Sequence, residues 1–378
     1  MSAMHARLPA IFFAAMLMLW PVVARGAQPT TTFYAGADIS MLPEIETKGG
    51  VFRADDNPGD ALKILHDNGC NLWRIRLFVN PDPDFSKNHG ATQDLTYVRA
   101  LAKRIKAVGG VFLLDLHYSD TWADPGKQFK PAAWKDLDFD ALEKRVHDYT
   151  AEVLKTLIDD GTRPDMVQVG NEIASGILWP DGQVWKSGGN ADTAEQWGKF
   201  TRLLNAGCKA VREASTPDHP IRVMLHVHGG GKPGLAKWFF GEKLGSHPVD
   251  FDIVGLSFYP AWDDEFDALK QNLTDAVAAT GKDVIVAETS YPWKEIPDIK
   301  TKPALHWPQT KAGQEAFLRD LTAAIRTAPQ GHGVGFIYWY PEAIALKGKP
   351  IWRQGGEALF DENGNALPAL AAFRVDRP

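Results

Sequence analysis

The chain has 378 residues, 44% of them apolar, with 41 Lys and Arg against 47 Asp and Glu and a formal net charge of −6. That length and apolar share allow a sizeable buried core and exclude a disordered chain. A mildly acidic chain without runs of Lys or Arg carries no electrostatic footprint for nucleic acid.

Residues 1–7 carry His5 and Arg7, residues 8–23 are almost wholly apolar, and Ala24, Gly26 and Ala27 are small. This is the pattern of a secretory signal peptide, residues 1–26, too short for a comfortable membrane span and cut after Gly26. An uncleaved membrane anchor is the other reading. With the leader removed, the expectation is a single domain over residues 27–378. No later stretch approaches about 20 apolar residues, so the mature protein is expected to be secreted or periplasmic, monomeric and without a membrane partner. Cys70 and Cys208, the two cysteines, show no metal-site spacing. They are expected to be buried free thiols, set apart beyond the roughly 7 Å that a disulfide can bridge.

Eight apolar runs follow in chain order, at 33–40, 71–78, 111–118, 166–172, 221–228, 251–259, 283–291 and 333–341. Helical periodicity fills 60–68, 97–108, 139–159, 194–214, 265–279 and 311–326. Strand and helix alternating eight times predict an α/β fold, a single (β/α)₈ TIM barrel. A doubly wound sheet would want a Gly-rich phosphate loop after the first strand, and Gly36-Ala37-Asp38-Ile39 is not one. The long stretches 119–138, 173–192, 292–310 and 341–359 all leave strand C-termini, the face where barrels place their active sites.

Two of the runs end on carboxylates, Gln168-Val169-Gly170-Asn171-Glu172 and Asp283-Val284-Ile285-Val286-Ala287-Glu288. A pair of strand-end glutamates points to the acid and the nucleophile of a glycosidase, held roughly 5–5.5 Å apart in retaining enzymes and ~6.5–9.5 Å in inverting ones. Alternation along a strand puts Val284, Val286 and Glu288 on one face and Gln168, Gly170 and Glu172 on another. Arg74 and Arg76 share a face of the second strand, and Arg76, the outer one, is expected to hold a carboxylate ionised. Tyr259 offers that carboxylate a second hydrogen bond, and the Asn171 amide suits a sugar hydroxyl. Thirteen tryptophans, with Trp122, Trp134, Trp179, Trp185, Trp262, Trp293 and Trp352 in polar stretches, suit the apolar faces of sugars.

His226 and His228 form a His-x-His pair of the kind that holds zinc in metal-dependent barrel hydrolases. That motif belongs on the first strand, with an Asp after the last. Here it lies on the fifth, so the polar lining of a sugar cleft is the expectation for both, as for Asp115 and His117. Residues 361–365 resemble a calcium loop only faintly, with the glycine at the fourth place, and are read as a turn before a final helix.

Gly36-Ala37-Asp38-Ile39-Ser40, Arg74-Ile75-Arg76-Leu77-Phe78-Val79-Asn80-Pro81 and the run from Asp115 to Gln128, with His117-Tyr118-Ser119-Asp120-Thr121-Trp122-Ala123-Asp124-Pro125, resemble glycoside hydrolase family 53. The match continues through Val169-Gly170-Asn171-Glu172, Ala287-Glu288-Thr289 and Tyr338-Trp339. The resemblance implies an arabinogalactan endo-β-1,4-galactanase acting on the galactan of pectin, with Glu172 as acid/base and Glu288 as nucleophile. Around them it implies Arg76, Asn171, Tyr259 and Trp339, and a cis peptide at Trp339–Tyr340. No cofactor is expected. Some relatives bind calcium after the eighth strand, but residues 341–356, with Glu342 and then Glu357, do not obviously supply its ligands. Another barrel glycosidase, such as a mannanase or xylanase, is the alternative. A non-catalytic carbohydrate-binding protein would lack one of the two carboxylates.

Overall fold

Each of the eight apolar runs forms a strand: β1 (Tyr34–Asp38), β2 (Leu72–Leu77), β3 (Val111–Leu116), β4 (Met166–Val169), β5 (Arg222–Val227), β6 (Ile253–Ser257), β7 (Asp283–Thr289) and β8 (Gly333–Trp339). They pair in parallel in chain order, and β8 closes on β1, which makes the expected (β/α)₈ barrel. The computed structural model describes residues 32–83, 90–185, 191–262, 265–297, 299, 306–348 and 351–375. The expected signal peptide, residues 1–26, lies outside the described residues. Among those described, no helix is long and apolar enough to cross a membrane.

The connecting helices start where local chemistry tells them to. Asp60, Asp94, Asp138, Thr193 and Thr310 each accept a backbone N–H of the first turn, satisfying a donor that the helix cannot. The stretch between β5 and β6, where no helix was predicted, carries a π-helical turn at Lys237–Lys243. The expected final helix is a short 3₁₀ segment, Pro368–Phe373. The turn before it is closed by Asp361 Oδ1, which accepts from the N–H groups of Asn363 and Asn365. Cys70 and Cys208 are buried and free, as expected.

The barrel interior has two storeys, and strand periodicity builds both. Leu72, Leu113, Met166, Met224, Ile253, Ile285 and Ile337 form a buried apolar cluster of their own. Two residues further along five of those strands stand Arg74, Asp115, Gln168, His226 and Gly255. Side chains two apart share a face, so a polar layer sits directly on an apolar floor, at the C-terminal end of the strands. Gly255 keeps that layer open, since a Cβ there would lie 3.3 Å from that of His226 and 3.1 Å from that of Ala287.

The seventh strand departs from simple alternation. Ile285 and Ala287 belong to the interior cluster, whereas Val284 and Val286 pack in the main core. Val284, Val286 and Glu288 therefore do not share a face as alternation predicts. The pairing with β6 slips between Leu256 and Ser257, and that with β8 slips between Val286 and Thr289. Such an irregularity re-aims a side chain, and here it turns Glu288 inward, opposite Ser257.

Candidate active site

The polar layer is organised by Arg74. Its Nη1 donates to Glu288 Oε1 at 2.8 Å and to Asp38 Oδ2 at 3.2 Å; its Nη2 donates to Asp115 Oδ2 and to Asn171 Oδ1, both at 2.8 Å. Burial works against the guanidinium charge, but Asp115, Glu288 and Asp38 outweigh it and hold the group well above its ordinary value. Asp115 is fully buried, yet its carboxyl stays below the usual range because Arg74 and His117 overcome the desolvation.

Arg76, the arginine expected beside the nucleophile, is not there. It bonds Gln93 Oε1 at 3.1 Å, Asp38 Oδ1 at 3.3 Å and the Tyr340 hydroxyl at 2.7 Å. Its guanidinium lies 4.5 Å from the Trp122 ring centroid and 5.1 Å from that of Trp339, within cation–π range. Both arginines point inward, but Glu288 reaches the level of the inner one. The shared face of Arg74 and Arg76 was legible in the sequence; the level at which the opposite carboxylate would meet it was not.

The two glutamates have contrasting partners. Glu288 is buried and accepts from Arg74 on Oε1 and from the Tyr259 hydroxyl on Oε2 at 2.9 Å. Glu172 is only half-buried, and its Oε1 lies 2.7 Å from Ser257 Oγ. Burial raises both carboxyls. At Glu172 the charge of Glu288 adds to that rise, while at Glu288 the cation and the phenol oppose it. Glu172 is therefore raised further from its ordinary value than Glu288 is.

Glu172 sits on a left-handed turn, φ 49° and ψ 49°. Tyr118 and Tyr340, at φ 50° and 55°, turn the same way just beyond β3 and β8. A non-glycine residue pays about 1–2 kcal/mol for that region, and such strain collects at functional sites. The peptide at Trp339–Tyr340, expected to be cis, is trans; among the described residues the cis bond is Trp179–Pro180. The left-handed Tyr340 does the turning instead, which sets its hydroxyl on Arg76. Trp339 packs against Trp122 with 6.0 Å between ring centroids.

The run from Asp115 to Gln128 wraps around Asn171. Asn171 Nδ2 donates to Ala123 O at 2.9 Å, and Gln128 Nε2 donates to Asn171 O at 2.7 Å. His117 Nδ1 accepts from Ala123 N at 3.2 Å, so its Nε2–H is the donor to Asp115 Oδ2 at 3.0 Å. Asn171 Oδ1 takes three donors and Nδ2 spends one hydrogen, leaving one N–H for a ligand. His226 is buried between Asn171 and Ser257, and the buried Nδ1 of His228 has no hydrogen-bond partner. Both His226 nitrogens are thus engaged within the protein. Among the described residues no three His, Cys, Asp or Glu side chains are grouped to hold a metal ion. Glu342 accepts from Met41 N, and Glu357 from Ser290 and Trp352, so both of these carboxylates have partners within the protein. Of the loop tryptophans, Trp134 and Trp293 are core residues, while Trp185, Trp262 and Trp352 are exposed.

Arg74, Gln168, Gln93 and Ser257 were missed as site residues by sequence reasoning. Ser257 lies two before Tyr259 and Gln168 two before Gly170, so same-face spacing was the available signal.

The model of glycosyl hydrolase family 53 matches residues 34–373. The chain is 34% identical to the arabinogalactan endo-β-1,4-galactanase of Cellvibrio japonicus, over 97% of each protein. It superimposes on a GH53 catalytic domain from Ignisphaera aggregans with a TM-score of 0.79 at 34% identity, covering 92% of this chain and 96% of that one. A solved fungal β-1,4-galactanase gives a TM-score of 0.77 at 30% identity, covering 90% of this chain and 99% of that one.

Proposed function

Because the chain belongs to glycosyl hydrolase family 53 and is a glycoside hydrolase, we propose that it is a secreted, retaining endo-β-1,4-galactanase acting on (arabino)galactan, the side chains of pectin included. The observation that carries this is the unequal pair at the barrel mouth. Glu288 is bonded to a cation and a phenol, whereas burial and the charge of Glu288 raise the Glu172 carboxyl. The substrate class follows the name of the Cellvibrio relative.

In the first step, Glu288 attacks the anomeric carbon while Glu172 gives its proton to the leaving glycosidic oxygen, which departs as an alcohol. Loss of the Glu288 charge then lowers the affinity of Glu172 for a proton. In the second step Glu172 takes a proton from water, the water oxygen attacks the same carbon, and Glu288 leaves as carboxylate. The free Asn171 N–H stands beside Glu172 for a sugar hydroxyl, and Trp339 with Trp122 offers an aromatic wall. Export rests on residues 1–26 and predicts a mature N-terminus at Ala27, readable by sequencing protein from the medium. Purified protein should release reducing ends from β-1,4-galactan and not from mannan or xylan. Activity on either of the others in place of galactan would make it a different barrel glycosidase.

A further inference from the structure

Behind Glu172 runs a line of hydrogen bonds. Glu172 Oε1 is 2.7 Å from Ser257 Oγ, Ser257 Oγ is 2.8 Å from His226 Nε2, and His226 Nδ1 is 3.0 Å from Asn171 Oδ1. The far end sets the direction. Asn171 Nδ2 donates to Ala123 O, and Oδ1 accepts from Arg74 Nη2 at 2.8 Å and Gln168 Nε2 at 3.1 Å. Oδ1 can only accept, so His226 Nδ1 carries the hydrogen. Burial, with Arg74, His228 and His117 around it, lowers the His226 pKa well below its ordinary value and keeps the ring neutral. Its Nε2 is therefore a bare lone pair inside the barrel.

Ser257 has one hydroxyl hydrogen and two acceptors for it. When it faces His226 Nε2, the Ser257 oxygen turns a lone pair to Glu172, and that contact is a hydrogen bond only if Oε1 bears a proton. When Glu172 is ionised, it draws the hydrogen to itself and leaves a buried Nε2 without a donor, which is unfavourable.

We propose that His226 is a positioning residue that keeps Glu172 protonated by competing for the Ser257 hydroxyl hydrogen, and that Ser257 turns that hydrogen to Glu172 once the carboxyl has lost its proton. The idea rests on the reading of Glu172 as acid/base. The proton passed to the leaving oxygen is the carboxyl's own. Ser257 and His226 lose none; the hydroxyl only changes the acceptor it faces, and it turns back when Glu172 takes a proton from water. The other groups bearing on Glu172 are Glu288 on β7, Asp124 after β3, Arg74 on β2, Tyr259 beyond β6 and His228 beyond β5. Replacing Ser257 or His226 removes none of these groups.

The test is the basic limb of the kcat/KM–pH profile of the full enzyme, which reports loss of the Glu172 proton. His226→Phe leaves the hydroxyl free for the carboxylate, so the limb should move to lower pH by about one unit. Ser257→Ala removes the donor, so the limb should move to higher pH. Adding His226→Phe to Ser257→Ala should then shift nothing further. In the wild-type protein, nitrogen NMR of labelled histidine should show His226 as the Nδ1–H tautomer, with the Nε2 resonance moving as Glu172 titrates. Shifts in the same direction, no shifts, or an Nε2–H tautomer would overturn the proposal; the NMR reading and Ser257→Ala decide it even if His226→Phe does not fold. Glu172→Gln separates the two levels. If it keeps a normal basic limb, Glu172 is not the acid. If it is inactive while the other variants leave the limb unmoved, only the role of His226 and Ser257 falls.

Discussion

Arg74 Nη1 lies 2.8 Å from Glu288 Oε1, with the guanidinium fully buried and the carboxylate nearly so. The same group reaches Asp38 on β1, Asp115 on β3 and Asn171 just beyond β4. One cation thus bonds three carboxylates from three strands, sharing Asp38 with Arg76. Structure and chemistry are coupled there, because the charge that holds the polar layer together also keeps Glu288 able to ionise.

Replacing Arg74 should therefore damage both. Arg74→Met leaves Asp115 and Glu288 without their bonded cation, and Asp38 with Arg76 alone, and should cost about 3–5 kcal/mol of stability, the range for breaking a buried ion pair. It should also raise the Glu288 pKa further, moving the acid limb of the kcat/KM–pH profile to higher pH. Arg74→Lys restores charge but not the fork and should fall between. Urea unfolding and pH–rate profiles read the two effects separately.

The roles of the glutamates predict different failures. With an activated aryl galactoside, Glu172→Ala should still form the glycosyl-enzyme, and added azide should release the β-galactosyl azide. Glu288→Ala should form no intermediate, and azide entering from the vacated side should give the α-azide. Product stereochemistry by NMR decides; the reverse result exchanges the roles.

Glu342 is buried just beyond β8, with Oε1 on Met41 N and Oε2 without a partner. Burial, with the Asp38 charge adding to it, pushes its carboxyl from 4.5 to about 8. Between those values the folded chain holds a proton that the unfolded chain has lost. Its contribution to stability is therefore whole below pH 4.5 and is lost as pH rises through 8. Glu342→Gln should flatten the decline of unfolding free energy over that window, by a few kcal/mol at pH 8 relative to wild type. Urea titrations of both proteins at pH 5, 6.5 and 8 give the difference directly.

Burial raises the thiols of Cys70 and Cys208 far above the ordinary range, so neither should react with a thiol reagent in the native protein near pH 8. In denaturant without reductant both should react. Finding none there would mean that they are bridged, against the structure.

The sequence by itself determined the barrel and the carboxylates. Eight apolar runs separated by helical periods have one economical closure, and a run that ends in a carboxylate places that group at the C-terminal face wherever the strand packs. Residues two apart on a strand also carried Arg74 and Arg76, Asp115 and His117, and His226 and His228 into the interior together. What only the tertiary structure decided was level and partner. The pairing slips around Glu288 turned it off the face that alternation predicts and set it against Arg74 instead of Arg76. The left-handed Tyr340, on a trans peptide, took the place of the expected cis bond. Ser257 gained its meaning only when β4, β5 and β6 brought Glu172, His226 and its hydroxyl within hydrogen-bonding distance. Periodicity reports which face a side chain takes; the stagger of neighbouring strands, set by packing around the whole closed sheet, determines what it meets there.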